Sequence, residues 1–101
     1  MFIVLLRFAA QRARAGEFLE GHKRWLQRGL DDGVFLLAGS LQPQAGGAIL
    51  AHGLSAHALR ERVAQDPFVA ENVVSAEIHE VTPSRVDQRL NFLLGPATGV
   101  R

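Results

Sequence analysis

The first eight residues constrain the fold more than any other stretch. Phe2 to Phe8 is an almost unbroken apolar run, too short for a helix of its own and well suited to a buried strand. Alternation puts Phe2, Val4, Leu6 and Phe8 on one side of that strand and Ile3 and Leu5 on the other. A strand that is apolar on both sides needs cover on both sides. Val34 to Ala38 repeats the demand, with Val34 and Leu36 set against Phe35 and Leu37.

The rest of the chain supplies cover for one side. Ala15 to Leu30 has helical spacing, with Phe18, His22, Trp25 and Gly29 on one stripe and Leu19, Leu26 and Leu30 beside it. Asp31-Asp32-Gly33 stops this helix, and Gly39-Ser40 ends the second strand. Leu41 to Gly46, with Pro43, is a hairpin-length connection to a third strand over Gly47 to His52. Ser55 caps a second helix that runs to about Gln65, with Leu59 and Val63 inward. Val73 to Thr82 is a fourth strand, with Ala76 and Ile78 opposite Glu77, His79 and Val81.

The order βαββαβ is that of the split βαβ, or ferredoxin-like, α+β arrangement: a four-stranded antiparallel sheet with both helices on one face. The second face of strands one and two would then meet water. At ~25 cal/mol per Å2 of apolar area, covering it is worth several kcal/mol. The simplest cover is the same face of a second subunit, giving a homodimer that joins two sheets into a dimeric α/β barrel.

We read residues 1–83 as the domain and residues 84–101 as a C-terminal extension. Ser84 with Asp87 resembles a capping box, Val86, Leu90, Leu93 and Leu94 have helical spacing, and Gly95-Pro96 is a stop signal. A short third helix and an extended arm both fit, because Phe92 lies off the stripe. Ala97 to Arg101 is expected to fray.

Composition narrows the function. With 101 residues the chain holds one modest core, and 48% hydrophobic content is high for so much surface. The net charge of +1 gives no reason to expect nucleic acid or an anionic membrane as partner. The absence of cysteine excludes disulfides, thiol catalysis and zinc–thiolate sites. No stretch reaches the length of a membrane span, and the apolar start is too short for a signal peptide, so a cytoplasmic location is expected. His52, His57 and His79 form no metal-ligand pattern with His22, and neither Ser40 nor Ser55 sits in a nucleophile elbow. No metal and no cofactor is expected.

Two residues stand where an apolar or neutral one would be cheaper. His22 lies on the inward stripe of the first helix, where an unpaired imidazole costs ~1–3 kcal/mol. Asp66, in Asp66-Pro67-Phe68, follows the C-terminus of the second helix, the negative end of its dipole. Each has a plain structural account: a histidine bonded to a backbone carbonyl, and an aspartate capping the short segment from Pro67. Together they explain one another. A carboxylate on one ring nitrogen fixes the tautomer and leaves the other nitrogen as a base.

The apolar first strand, Gly21-His22 with Trp25-Leu26, Gly33 before the Val34 to Ser40 strand, Gly46-Gly47, and Asp66-Pro67-Phe68 together resemble the YciI-like (YCII-related) family. The resemblance covers roughly Met1 to Pro83. It implies a ferredoxin-like fold, dimerisation through the sheets and a His–Asp active site, carried here onto His22 and Asp66. Gly39-Ser40 matches the segment near that pocket, and Trp25 and Phe68 are further candidates for contact with substrate. At least one member of the family is described as a dehydrochlorinase acting on a chlorinated hydroxyquinol. Two functions follow as expectations. One is a cofactor-independent enzyme that uses the dyad for elimination or isomerisation on a small cyclic or aromatic metabolite. The other is a non-catalytic dimeric module that binds a small ligand or another protein. An accessible pocket reaching both residues favours the first; a sealed pair favours the second.

Overall fold

A computed structural model of the chain describes residues 1–95. Its elements run β1 (Phe2–Phe8), α1 (Ala15–Asp31), β2 (Phe35–Leu41), β3 (Gly46–Ala51), α2 (Ala56–Ala64), α3 (Pro67–Ala70) and β4 (Val74–Glu80). Short 3₁₀ turns precede α1 at Arg12–Arg14 and follow β4 at Gln88–Leu93. The four strands form one antiparallel sheet in the order β2-β3-β1-β4. This is the ferredoxin-like α+β arrangement expected from the element order.

β1 lies in the middle because it is apolar on both sides. Phe2, Val4 and Leu6 are buried beneath the helices, in one core with Ile49, Ala51, Leu59 and Val63. Trp25 joins α1 to α2: it is 1% exposed, and its Nε1–H donates to the Arg62 carbonyl at 2.9 Å. Gly29, one turn on, has no side chain because the Phe35 ring occupies the space a Cβ would take. Gly33 ends α1 at φ +76°, donating its N–H to the Leu30 carbonyl at 3.0 Å. Ser55 caps α2 by accepting from Ala58 N at 3.0 Å.

The second strand departs from the expected alternation. It runs on through Gly39 and Ser40 to Leu41, because Gly39, Ser40 and Leu41 pair with Ala48, Gly47 and Gly46. A bulge between Phe35 and Leu37 shifts the register, so Leu36 has no partner. Beyond it the parity is reversed: Ala38 pairs with Ile49 and Ser40 with Gly47, on the side facing the helices. Without the bulge Ser40 would face the other way.

That other face carries Ile3 and Leu5 from β1, Leu50 from β3 and Leu37 from β2, with Leu37 54% exposed. Its β4 side is polar. Glu77 accepts from Arg7 Nε at 2.8 Å and lies 3.0 Å from His79 Nε2. Hydrogen bonds from His79 and then Arg7 hold the Glu77 carboxyl below its usual range.

The C-terminal segment forms no α-helix among the described residues. Ser84 does not cap it; Asp87 does, accepting from Arg89 N at 2.9 Å. Two short 3₁₀ turns follow, joined at a kink at Leu90, and the Phe92 ring meets His52 edge-on at 5.3 Å between centroids. Leu90 and Phe92 are exposed, whereas Leu93 and Leu94 are half-buried. The expectation of fraying over Ala97 to Arg101 lies outside the described residues.

Candidate active site

The site is built where the sheet's side chains become small. Three rows cross the sheet on the helix side. Phe35, Ala51, Phe2 and Glu80 make the first, and Ala38, Ile49, Val4 and Ile78 the second. Phe35 and Phe2 fill the first, and Ala38 and Ile49 of the second reach the edge of the cavity. The third is Ser40, Gly47, Leu6 and Ala76, and only Leu6 in it is large. Above this row lies a cavity of about 310 Å3. Leu6, Phe8, Gly47 and Ser40 contribute from the sheet, Leu19, His22 and Leu26 from α1, and Phe68 from α3. No charged side chain lines it.

His22 Nδ1 stands 2.8 Å from Asp66 Oδ1. Asp66 is wholly buried, and the same Oδ1 accepts from Phe68 N at 3.0 Å, so one oxygen both caps α3 and meets the imidazole. The carboxylate is an acceptor, so the nitrogen facing it carries the proton. In the neutral ring Nε2 is thereby left with its lone pair. It makes no described hydrogen bond and is not among the buried unpaired atoms, so it has accessible surface, on a residue that lines the cavity.

The imidazole plane is held as well as its edge. Phe68 stacks on it at 4.1 Å with 7° between planes, and Trp25 flanks it at 5.9 Å and 26°. Asp66 Oδ2 is the one buried side-chain polar atom without a partner among the described residues. A group left unpaired in this way costs ~1–3 kcal/mol, and such groups gather at working sites more than in ordinary cores.

α1 and α3 meet closely because Gly21 faces Pro67. A Cβ on Gly21 would lie 3.1 Å from Pro67 Cγ, tighter than ordinary contact. Gly21→Ala gains helix propensity of up to ~1 kcal/mol but must move the helices apart by a few tenths of an ångström. We expect a protein that is no less stable and has a weakened His22–Asp66 bond. Loss of rate should fall short of the ~10²-fold that a 1 Å misplacement costs. Thermal denaturation together with imidazole NMR checks both halves.

Of the residues singled out in the sequence, His22, Phe68, Gly39 and Ser40 line the cavity, and Asp66 stands behind His22. Trp25 does not line it; its ring lies in the core against His22 and Phe35, so it supports the imidazole and does not reach the cavity. Leu19 and Leu26 were missed, although they sit three residues before and four after His22 and so share its helix face. Gly47 was missed because its position opposite Ser40 depends on strand register. No cluster of three or more potential metal-ligating side chains exists among the described residues. No helix among them is long and apolar enough to cross a membrane.

No family model matches the chain, and no curated protein matches it. A solved structure does: the 5-chloro-2-hydroxyhydroquinone dehydrochlorinase from Burkholderia phenoliruptrix AC1100, in complex with 2,5-dihydroxybenzoquinone. The similarity spans 80% of this chain and 93% of that one, with a TM-score of 0.64 and 12% sequence identity. The two proteins share a fold.

Proposed function

We propose that this protein is a small enzyme of the YciI-like family that moves a proton with the His22–Asp66 pair during an elimination or isomerisation of a small cyclic or aromatic compound. The observation that carries the reading is the 2.8 Å Nδ1–Oδ1 contact behind a ring that lines an uncharged cavity. The shared fold with a dehydrochlorinase supports it. Asp66 holds the Nδ1–H tautomer, and Nε2 is the base. In an elimination from the diketo tautomer of such a ring, Nε2 takes a proton from a ring carbon beside a carbonyl. The C–H pair becomes the new C=C bond, and an anion such as chloride leaves the adjacent carbon with its bonding pair. In an isomerisation the same proton returns to a different carbon. Ser40 offers a hydroxyl to a ring oxygen. No metal or organic cofactor enters either step.

The test is chloride release from chlorinated hydroxyquinols, with no metal or nucleotide added. The proposal expects release above the buffer rate that His22→Asn removes; release no faster than in buffer across such a panel contradicts it. One observation favours the non-catalytic alternative, namely that Asp66 Oδ1 also caps α3, as a purely structural residue would. Binding without turnover is its outcome.

The protein acts, in this reading, as a homodimer. Ile3, Leu5, Leu37 and Leu50 supply an apolar patch on the sheet face away from the helices, and two copies of that patch cover each other. The domain comprises residues 1–83, and the extension from residue 84 docks through Leu93, Leu94 and Phe92. Sedimentation at micromolar concentration should show a dimer. Deleting residues 84–101 should lower Tm or weaken association. A monomer, or a truncated protein that melts and associates unchanged, contradicts the respective half.

A further inference from the structure

The third row of the sheet is short of atoms at one position above all. Gly47 pairs with Ser40 on one side and Leu6 on the other, so it shares their side of the sheet, the side of the cavity. Its backbone does not need glycine: unlike that of Gly46, its φ lies outside the left-handed region. Its surroundings do not need glycine either. A Cβ there would meet only the Gly39 carbonyl oxygen, at an ordinary 3.4 Å. A strand-interior glycine is unfavourable in itself, since it loses more entropy on folding and packs nothing. The fold would accept a methyl group at this position. What glycine provides is empty space beside Ser40 and across from His22.

We propose that Gly47 determines which ligand the pocket accepts: the missing side chain is the space taken by an uncharged ring that bears oxygen substituents. The cavity, about 310 Å3, is roughly twice the ~150 Å3 cavity that holds benzene, which leaves room for a ring together with its substituents. Its wall is apolar, with Phe8 and Phe68 from opposite sides, and its polar side chains are Ser40 and His22. Those suit a neutral ring with oxygens at its edge; a phosphate or carboxylate would find no cation there. The inference rests on the pocket being the ligand site of the proposed function, but not on any reaction taking place in it.

Binding therefore tests it independently of turnover. Calorimetry with resorcinol should be run on the wild type, Gly47→Ala and Gly47→Val. Expected is resorcinol binding to the wild type. Each methyl added at position 47 should weaken it by about 10–200-fold, with Tm unchanged or raised. Should Gly47→Val fail to fold, Gly47→Ala carries the comparison alone. The inference is overturned if resorcinol does not bind the wild type, or if a folded position-47 variant keeps the wild-type Kd. If resorcinol binds as expected and no substrate is ever turned over, the catalytic reading fails while Gly47 keeps its role.

Discussion

Replacing His22 with asparagine should lower turnover by about 10²–10⁴-fold, the contribution of a positioned general base, while the protein remains folded. Asparagine keeps a polar group at the position of Nδ1 and can still donate to Asp66 Oδ1, but it has no second nitrogen to receive a proton. The stack on Phe68 is lost, so a modest fall in Tm accompanies the change. Asp66→Asn should act through His22. The amide oxygen can still accept from Phe68 N and from His22 Nδ1–H, so the cap on α3 survives, but without the negative charge it holds the Nδ1–H tautomer, and the charge that develops on the ring, less strongly. Its loss of rate should be equal to or smaller than that of His22→Asn, and it should appear in kcat more than in KM. If both variants lose stability and no activity changes, the pair is structural. Circular dichroism, a melting curve and steady-state kinetics on the same preparations decide between these outcomes.

Gly46→Ala should be the most damaging single substitution to the fold. Gly46 has φ +128°, a region open in practice to glycine alone, and the strain for another residue is ~1–3 kcal/mol. Space adds a second penalty. A Cβ on Gly46 would overlap the carbonyl oxygen of Leu6, a backbone atom of the central strand that cannot rotate aside. Relief requires β1 and β3 to part where Arg7 and Gly46 pair. A combined cost above about 3 kcal/mol is a large share of the ~5–15 kcal/mol that holds a small domain. At ~4–8 °C per kcal/mol this lowers Tm by more than ~12 °C. Gly47→Ala, one residue on, is the control: with space and an ordinary φ it should melt no lower than wild type. If Gly46→Ala melts within a few degrees of wild type, the hairpin is more adaptable than its geometry indicates.

Much of this architecture was legible in the residues. β1 announced itself as central by being apolar on both sides, and the helical stripe through Phe18, His22 and Trp25 placed the imidazole toward the sheet. The nearness of His22 and Asp66 could be read because each is costly alone and the topology sets their helices side by side. The cavity could not be read. It depends on the bulge at Leu36, which turns Ser40 toward the helices, and nothing in Phe35-Leu36-Leu37 marks where pairing slips. It depends equally on the register that sets Gly47 between Ser40 and Leu6. Register is fixed by the whole sheet, not by local residue types. Trp25 misled for a related reason. Helical spacing gives the face of α1 but not the depth, and this indole reaches the Arg62 carbonyl instead of the cavity. In the tail, the apolar spacing was real, but Asp87 competes with Ser84 as a cap and starts a 3₁₀ stretch closer to Gly95.

The claim that most of this rests on is that Asp66 holds His22 with its proton on Nδ1 and its lone pair on Nε2, within reach of a ligand. The direct measurement is 15N NMR of the histidine side chains, taken where the imidazole is neutral, with and without resorcinol, in wild type and Asp66→Asn. The account predicts that His22 is in the Nδ1–H tautomer, that its Nε2 resonance moves when the ligand is added, and that the tautomer preference weakens in Asp66→Asn. A His22 that carries its proton on Nε2, or whose resonances ignore both the ligand and Asp66, would contradict it.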